Sequence, residues 1–280
     1  MGENSSPPAC DTKYPILLVH GIGFRDNRWL NYWGRIPGRL KEQGAVIFYG
    51  EQDSHGSVES NGRFLCERVK KILEETGAEK VNVIAHSKGG LDSRWMIAHL
   101  DHGKRVASLT TIATPHHGSR TVDLLLRLPD TLVRFAAFCC DVWYRVLGDR
   151  QPDAYKVFHM LSTKEAREFN AQTPDAAGVY YQSYAFAMKK IRSDLLMWLP
   201  CLVVRLVEGI NDGLVTPESA GWGDFRGVFT GTRTRGISHC DEVDLRRRPF
   251  DRKGRTYGNE VADITEFYCG IVEELKEKGF

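Results

Sequence analysis

The chain has 280 residues, of which 42% are apolar and 26% are charged, and its formal net charge is +2. This length suffices for one large buried core, so a single domain with an insertion is favoured over two domains. The nearly balanced charge excludes the strongly basic surface typical of nucleic-acid-binding proteins, and the absence of any run of 18 apolar residues excludes a transmembrane helix.

The first 13 residues are polar and predict a flexible tail ahead of a single domain at residues 14–280. They lack the apolar stretch of a signal peptide. The seven cysteines are odd in number and scattered without a C-x-x-C pair, unlike those of a zinc ribbon. These features favour a reduced, cytoplasmic protein and leave secretion by another route open.

Apolar runs and helical segments alternate from residue 14 to residue 119. The runs that predict strands lie at residues 14–19, 45–49, 81–85 and 106–112. The segments with helical spacing lie at residues 32–43, 58–76 and 91–100, and Gly77 is expected to end the second of them. Such alternation is typical of a mostly parallel sheet with helices on both faces, so the predicted fold class is α/β.

Residues 81–90 read V-N-V-I-A-H-S-K-G-G, an apolar strand that turns sharply into a helix. A serine at such an elbow points outward at the carboxyl end of the sheet, and its neighbours must be small. Ala85, Gly89 and Gly90 meet that need. This is the nucleophile-elbow pattern G-x-S-x-G with Ala85 in the first position, so Ser87 is the predicted nucleophile. An ordinary strand-turn-helix with a serine in its turn is the alternative.

The alternation breaks after residue 119. Residues 121–147 are helical in character and apolar on more than one face, which predicts either an ordinary pair of core helices or a mobile lid over an apolar site. The pattern alone favours the core pair. Further along, we predict a helix at residues 154–170, strands at 179–187, 202–207 and 227–230, and a closing helix at 263–278.

A serine hydroxyl needs a base to take its proton, and the base needs an acid to hold it. In hydrolases with this elbow the acid and then the histidine follow the serine along the chain. His239 is the only histidine in the C-terminal third and follows a predicted strand, so it is the predicted base. His86 adjoins Ser87 in the sequence, but the side chains of adjacent residues at a turn point in different directions. His86 is therefore a poor candidate for the base.

Asp212 is the predicted acid because it lies in an Asn-Asp-Gly turn just past the predicted strand at residues 202–207. Asp194 and Asp224 are the rival acids, and neither follows so clear a strand. The reaction also develops an oxyanion, for which two backbone N–H groups are predicted as donors. One belongs to Lys88, after the nucleophile, and the other to Ile22 in the glycine-rich turn after the first strand.

Five motifs occur in a fixed order along the chain. They are His20-Gly21-Ile22-Gly23-Phe24, Ala85-His86-Ser87-Lys88-Gly89-Gly90, Thr114-Pro115-His116-His117-Gly118-Ser119, Asn211-Asp212-Gly213-Leu214-Val215 and His239-Cys240-Asp241-Glu242-Val243. Together they resemble the bacterial true lipases of the Pseudomonas, Burkholderia and Proteus group and related clostridial lipase-like proteins. The resemblance covers most of residues 14–280 and is weakest over 121–150.

The resemblance implies an enzyme with an α/β-hydrolase fold that cleaves carboxylic esters, chiefly triacylglycerols, and that has a helical lid at about residues 121–150. On this basis we expect that segment to form a lid rather than an ordinary pair of core helices. It also implies Ser87 as nucleophile, Asp212 as acid and His239 as base, with Ile22 and Lys88 as oxyanion donors.

Many members of the resembled family hold a structural calcium near the catalytic histidine. Asp241 matches one carboxylate ligand, and Asp194 is the candidate for a second. Leu245 stands where the family has a glutamine six positions after the histidine, and it cannot coordinate, which weighs against calcium. No cofactor is required for the chemistry. Lys88 replaces the usual Gln or Met, and the sequence does not indicate what its side chain contacts.

The favoured function is therefore a lipase that cleaves acylglycerols through an acyl-enzyme intermediate. Its expected partner is a lipid or small ester, met at a lipid–water interface. An esterase or acyltransferase for short or polar acyl groups is the alternative within the same chemistry, and the length of the pocket distinguishes them. A non-catalytic, hydrolase-like binding protein is disfavoured because all three triad residues are present.

Overall fold

The structure, a computed structural model, describes residues 8–23, 31–251 and 258–280. Within these ranges seven strands form one parallel sheet in the order β2-β1-β3-β4-β5-β6-β7. In chain order they are β1 Ile16–Val19, β2 Ile47–Tyr49, β3 Val81–His86, β4 Val106–Ile112, β5 Tyr180–Phe186, β6 Asp224–Gly231 and β7 Glu260–Val261. The predicted α/β class with a parallel sheet is confirmed.

Helices cover both faces of the sheet. In the described ranges they are α1 Ile36–Glu42, α2 Val58–Thr76, α3 Lys88–Met96, α4 Arg120–Leu125, α5 Asp130–Val146, α6 Ala154–Met160, α7 Thr163–Gln172, α8 Trp198–Val207, α9 Pro217–Ala220 and α10 Ile264–Glu277. A π-helical turn extends α3, and a 3₁₀ turn precedes α8. Helix α2 ends as predicted, at a left-handed Gly77.

The core consists of two apolar layers, one on each face of the sheet. Alternate residues of β1 enter different layers, as the two-residue period of a strand requires. The layer under α1 and α10 contains Trp33, Ile36, Leu40, Tyr268, Ile271 and Val272. The layer under α2 and α3 contains Leu65, Val69, Ile72, Met96 and Ile97. Strands β3 and β4 are buried along their whole length between the layers, which fixes the edge where Ser87 emerges.

Two sequence predictions in the second half are corrected. The strand predicted at residues 202–207 is the end of helix α8, because the apolar run begins earlier, at Trp198, and is long enough for nearly three helical turns. The single helix predicted at 154–170 is two helices. Ser162 separates them, and its side chain accepts a hydrogen bond from the N–H of Glu165 to cap α7.

The predicted flexible tail is packed over its second half. Cys10 is fully buried, and its N–H donates to the Gln43 carbonyl at 2.9 Å. The Lys13 N–H donates to the carbonyl of Phe280 at 2.8 Å, which ties this segment to the C-terminus. Residues 1–7 and Phe24 lie outside the described residues.

No helix in the described ranges is long and apolar enough to cross a membrane. The cytoplasmic location stays a prediction.

Candidate active site

Ser87 lies at the turn between β3 and α3 with φ 53° and ψ −132°. A positive φ is costly for a residue with a side chain and is maintained only where the surroundings enforce it. Here the Ser87 N–H donates to the Ile112 carbonyl at 2.9 Å, and the Thr114 hydroxyl donates to the Ser87 carbonyl at 2.7 Å. The end of β4 therefore holds the strained elbow in place.

Three glycines allow neighbouring backbone and side-chain atoms to pack closely around this elbow. A Cβ at Gly21 would come within 2.6 Å of the Ser87 Cβ. A Cβ at Gly89 would overlap the His20 carbonyl, and one at Gly90 would overlap the Thr114 side chain. The need for small residues at positions 89 and 90 agrees with the sequence analysis, and Gly21 adds a third such position in the turn after β1.

Asp212 and His239 are in direct contact, because Asp212 Oδ2 lies 2.8 Å from His239 Nδ1. The other carboxylate oxygen of Asp212 accepts from the N–H groups of Leu214 and Val215, both at 2.8 Å. Although helix α8 precedes this loop, the Met188 N–H donates to the Asn211 carbonyl at 2.9 Å. The loop thus returns to the end of β5, on the same sheet edge as the elbow.

The rival acids lie in other contacts. Asp224 accepts from the Tyr180 hydroxyl at 2.6 Å, and Asp194 is paired with arginines. For Asp212, burial alone would raise the carboxyl pKa. The attraction and hydrogen bond of His239, together with the Val215 N–H, instead bring that pKa below its ordinary value. Asp212 is therefore ionised at neutral pH and can orient His239.

A second buried layer, which the sequence does not predict, supports this pair. Glu242 Oε2 lies 3.6 Å from His239 Nδ1 and 2.9 Å from His86 Nε2. His86 Nδ1 is 2.7 Å from the Tyr32 hydroxyl, which in turn accepts from the Gly21 N–H at 3.0 Å. Polar contacts therefore run from the glycine-rich turn through Tyr32 and His86 to Glu242, which lies beside His239. The quoted motif after His239 contains Glu242, but no spacing links it to Tyr32.

Burial, followed by the charge of Asp212, raises the pKa of the Glu242 carboxyl well above its ordinary value. Burial, with the nearby His239 and His20, lowers the pKa of His86 well below its ordinary value. Both groups are therefore neutral at pH 7. A neutral His86 whose Nδ1 accepts from Tyr32 carries its proton on Nε2 and donates it to Glu242. Both ring nitrogens of His86 are therefore engaged, Nδ1 by Tyr32 and Nε2 by Glu242.

An apolar cavity of about 520 Å³ opens at this edge of the sheet. Ser87, His239, Ile22 and Lys88 all border it. Its apolar walls come from α4, α8 and the loops beside them: Val122, Leu125, Leu161, Leu199, Pro200, Val203, Val204, Leu214 and Val215. The structure therefore brings the proposed nucleophile, base and oxyanion residues to one apolar cleft, with Asp212 directly behind the base.

The segment predicted as a lid consists of α4 and α5. A second apolar cavity of about 250 Å³ lies between these helices and residues Phe158 and Leu161. Large apolar side chains of α5 and of the α8 region are exposed to solvent: Leu132, Phe135, Phe138, Trp143, Val146, Leu195, Leu199, Leu206 and Ile210. The insertion is therefore not an ordinary core pair. Its movement as a lid stays a prediction.

The Lys88 side chain points into the protein rather than into the cleft. Its Nζ lies 2.7 and 2.9 Å from the two carboxylate oxygens of Asp92, and both side chains are 2% exposed. Asn61 donates to the same carboxylate at 2.8 Å. Burial raises the pKa of Asp92, and the neighbouring Lys88 opposes that rise. Lys88 is therefore part of a buried ion pair beneath the elbow.

We expect Lys88→Met to lower the free energy of unfolding by about 3–5 kcal/mol, because it leaves the Asp92 carboxyl buried without its cation. Urea denaturation measures this loss. The double variant Lys88→Met/Asp92→Leu should recover most of it, since neither charge then remains. An unchanged stability of Lys88→Met would show that the ion pair contributes nothing net.

Arginine side chains contact both candidate calcium ligands. Asp194 Oδ2 accepts from Ser238 Oγ at 2.7 Å, from Arg235 Nη2 at 3.1 Å and from Arg246 Nη2 at 3.2 Å. Asp241 Oδ2 accepts from Arg235 Nη2 at 2.9 Å and from the Ser238 N–H at 3.1 Å. Calcium requires six to eight oxygen ligands. Two guanidinium groups take up these carboxylates, so the residues do not fit a calcium site.

One cluster of metal-type side chains is found in the described part of the chain, formed by His86, His239 and Glu242 within 4.8 Å of one another. Its ligand atoms are the ones engaged in the contacts described above.

The sequence profile of the alpha/beta hydrolase fold family matches residues 3–184. The chain is 30% identical over 272 residues to triacylglycerol lipase 2 of Saccharomyces cerevisiae, covering 91% of this chain and 78% of that protein. It is 33% identical over 178 residues to a triacylglycerol lipase of Burkholderia plantarii, covering 59% of this chain and 49% of that protein.

The same fold is found in solved structures of other proteins. A metagenomic carboxyl esterase superposes with a TM-score of 0.70 at 18% identity, covering 98% of this chain and 77% of that chain. The mature lipase of Bacillus licheniformis superposes with a TM-score of 0.63 at 22% identity, covering 87% of this chain and 90% of that chain. At these identities the structural likeness concerns the fold alone.

Proposed function

The chain belongs to the α/β-hydrolase family, within its group of lipases and esterases, and from that premise we propose that it hydrolyses long-chain acylglycerols through an acyl-enzyme intermediate on Ser87. The observation that carries the proposal is the apolar cleft, which has Ser87 and His239 at its border and Asp212 at 2.8 Å behind His239. A cleft lined almost wholly by aliphatic side chains suits an acyl chain better than a polar substrate.

In the proposed first half-reaction, His239 Nε2 takes the proton of Ser87 as Oγ attacks the ester carbonyl carbon. Asp212 holds the Nδ1–H of His239 and stabilises the imidazolium that forms. The tetrahedral intermediate then collapses, the bond to the alcohol oxygen breaks, and His239 returns its proton to the leaving alcohol. In the second half-reaction His239 takes a proton from water as the water oxygen attacks the acyl carbon. The bond from that carbon to Ser87 Oγ then breaks, His239 returns the proton to Oγ, and the fatty acid leaves.

The N–H groups of Ile22 and Lys88 are the proposed donors to the oxyanion. Their value depends on being fixed in advance, since loss of one such donor costs about 3–4 kcal/mol of transition-state stabilisation. The turn that carries Ile22 is held from two sides. Gln52 Nε2 donates to the His20 carbonyl at 2.7 Å, and the Gly23 N–H donates to Ser54 Oγ at 3.0 Å. These contacts support a preorganised turn.

The proposed acyl chain lies between α4 and α8. Helix α8, which lines that cleft, and helix α5 both expose large apolar side chains. These side chains support action at a lipid surface, where their burial would contribute about 25 cal/mol per Å². The lid role of α4 and α5 belongs to the same proposal. An aliphatic cleft favours long chains over the short or polar acyl groups of an esterase.

The chain-length claim is tested with glycerol and p-nitrophenyl esters from short to long acyl groups on the wild type and on Val203→Trp. Val203 lines the cleft, so a tryptophan there should exclude part of the acyl chain. Excluding two methylenes costs about 1.6 kcal/mol, or about fifteenfold in kcat/KM, for long esters only.

Leu206→Trp is the matched control, because Leu206 lies on the same helix, is 78% exposed and does not line the cleft. It should leave the chain-length profile unchanged. A wild type that hydrolyses short esters only, or a Val203→Trp variant with an unaltered profile, would contradict the long-chain assignment and favour an esterase.

A further inference from the structure

Two arginines and two aspartates form a compact cluster beside the loop that carries His239. Arg235 Nη2 contacts both Asp194 Oδ2, at 3.1 Å, and Asp241 Oδ2, at 2.9 Å. Arg246 reaches the same two carboxylates, through Nη2 to Asp194 at 3.2 Å and through Nε to Asp241 Oδ1 at 3.2 Å. We call these four residues the arginine–carboxylate cluster.

The two carboxylates of the cluster are buried, and the two arginines supply the opposing positive charge. The side chains of Asp194 and Asp241 are 7% and 0% exposed, whereas those of Arg235 and Arg246 are 25% and 27% exposed. The carboxylates converge from inside the protein, and the guanidinium groups reach them from the surface. Two negative and two positive charges balance, and each guanidinium bridges both carboxylates as a divalent cation would.

The cluster joins the base to a wall of the cleft. Asp241 Oδ2 and Asp194 Oδ2 accept from the N–H and hydroxyl of Ser238, the residue before His239. The remaining oxygen of Asp194 accepts from the N–H groups of Leu196 and Met197, at 2.9 and 3.3 Å, just ahead of α8. The cluster therefore contacts both the loop that carries His239 and the segment just ahead of α8.

We propose that Arg235 and Arg246 take the place of a bound cation: they neutralise Asp194 and Asp241 and act as positioning residues for the His239 loop, so that the protein folds and works without calcium. The positioning part rests on the proposed function, since it concerns the proposed base. The stability part does not depend on any ester being hydrolysed, so the two can fail separately.

The wild type provides the first test. Its melting temperature should differ by less than about 1 °C between excess EDTA and excess calcium chloride, and elemental analysis should find no stoichiometric metal. A stoichiometric calcium ion, or a clear loss of thermal stability in EDTA, would overturn the proposal. This measurement uses the unmodified chain, so it does not depend on how any variant folds.

The double variant Arg235→Met/Arg246→Met provides the second test. It leaves two buried carboxylates facing each other, so its melting temperature should fall by about 5–10 °C, and added calcium should restore part of that loss. On a short soluble ester, kcat should fall about tenfold while KM stays within about twofold, because an interaction that orients the base is lost rather than substrate binding.

Two further variants separate positioning from general damage. Arg235→Lys/Arg246→Lys keeps the charges, so it should retain more of kcat and of the melting temperature than the methionine variant and should not respond to calcium. Arg233→Met removes a neighbouring arginine whose ion pair with Asp251, at 3.4 Å, leaves its side chain 68% exposed, and it should change neither quantity. Methionine substitutions that leave kcat and melting temperature unaltered would contradict the proposal.

Discussion

Ser87→Ala is expected to lower the rate of ester hydrolysis by about six decades, which is the scale on which loss of the nucleophile acts in serine hydrolases. The substitution removes Oγ and therefore the acyl-enzyme intermediate. The fold should persist, because the contacts that hold the elbow are made by the Ser87 backbone N–H and carbonyl rather than by the hydroxyl. Steady-state hydrolysis of a p-nitrophenyl ester, with a thermal melt of the same sample, measures both expectations.

Ser119→Ala is the matched control, because Ser119 borders the same cavity but its hydroxyl donates to Glu208 at 2.6 Å. Its loss of activity should be far smaller than that of Ser87→Ala. Hydrolysis retained in Ser87→Ala and lost in Ser119→Ala would move the nucleophile to the other serine.

Asp212→Asn should reduce kcat by about three to four decades. The asparagine cannot stabilise the imidazolium that forms as His239 takes the Ser87 proton, and its amide can stabilise the wrong tautomer of the ring. The loss should appear in kcat and in kcat/KM alike, since the interaction acts in the transition state. The same soluble-ester assay measures it.

Glu242→Gln is the comparison that identifies the acid. Glu242 lies 3.6 Å from His239 Nδ1, but its raised pKa makes the carboxyl neutral, so a neutral amide should cost far less than the change at Asp212. A nearly unchanged Asp212→Asn enzyme, together with a severe loss in Glu242→Gln, would assign the acid role to Glu242.

The elbow was predictable because its constraints are local. A strand, a sharp turn and a close helix require small residues within a few positions of Ser87, and the sequence displays them side by side. Helix α2 and strand β4 were predictable for the same reason, since apolar spacing and a terminal glycine define them within one segment.

Features that depend on distant parts of the chain were not predictable. Helix α8 was mistaken for a strand because a short apolar run fits either a buried strand or a helix that lines a cleft. Asp212 nevertheless remains the proposed acid, because a backbone hydrogen bond from Met188 to Asn211 brings its loop back to the end of β5. No local sequence pattern encodes that contact. The link of Tyr32 to His86 joins residues 54 positions apart.

Charged residues near the site illustrate the same limit. No partner for the Lys88 side chain is predicted from the sequence, although Asp92 lies one helical turn away on the same face. The sequence offered Asp194 and Asp241 as metal ligands, because family resemblance identifies carboxylates without showing which cations oppose them. Arg235 and Arg246 are recognised as those cations only when the fold brings position 194 to positions 235 and 246.

The central claim is that Ser87 is the nucleophile of an ester hydrolase, and covalent labelling tests it most directly. The wild type is incubated with a p-nitrophenyl alkylphosphonate, and intact mass and peptide mapping are followed together with residual ester hydrolysis. We predict one phosphonyl group per chain, attached to Ser87, with activity lost in proportion to labelling and no label on Ser87→Ala. Labelling of another residue, or hydrolysis that continues when Ser87 is fully modified, would contradict the claim.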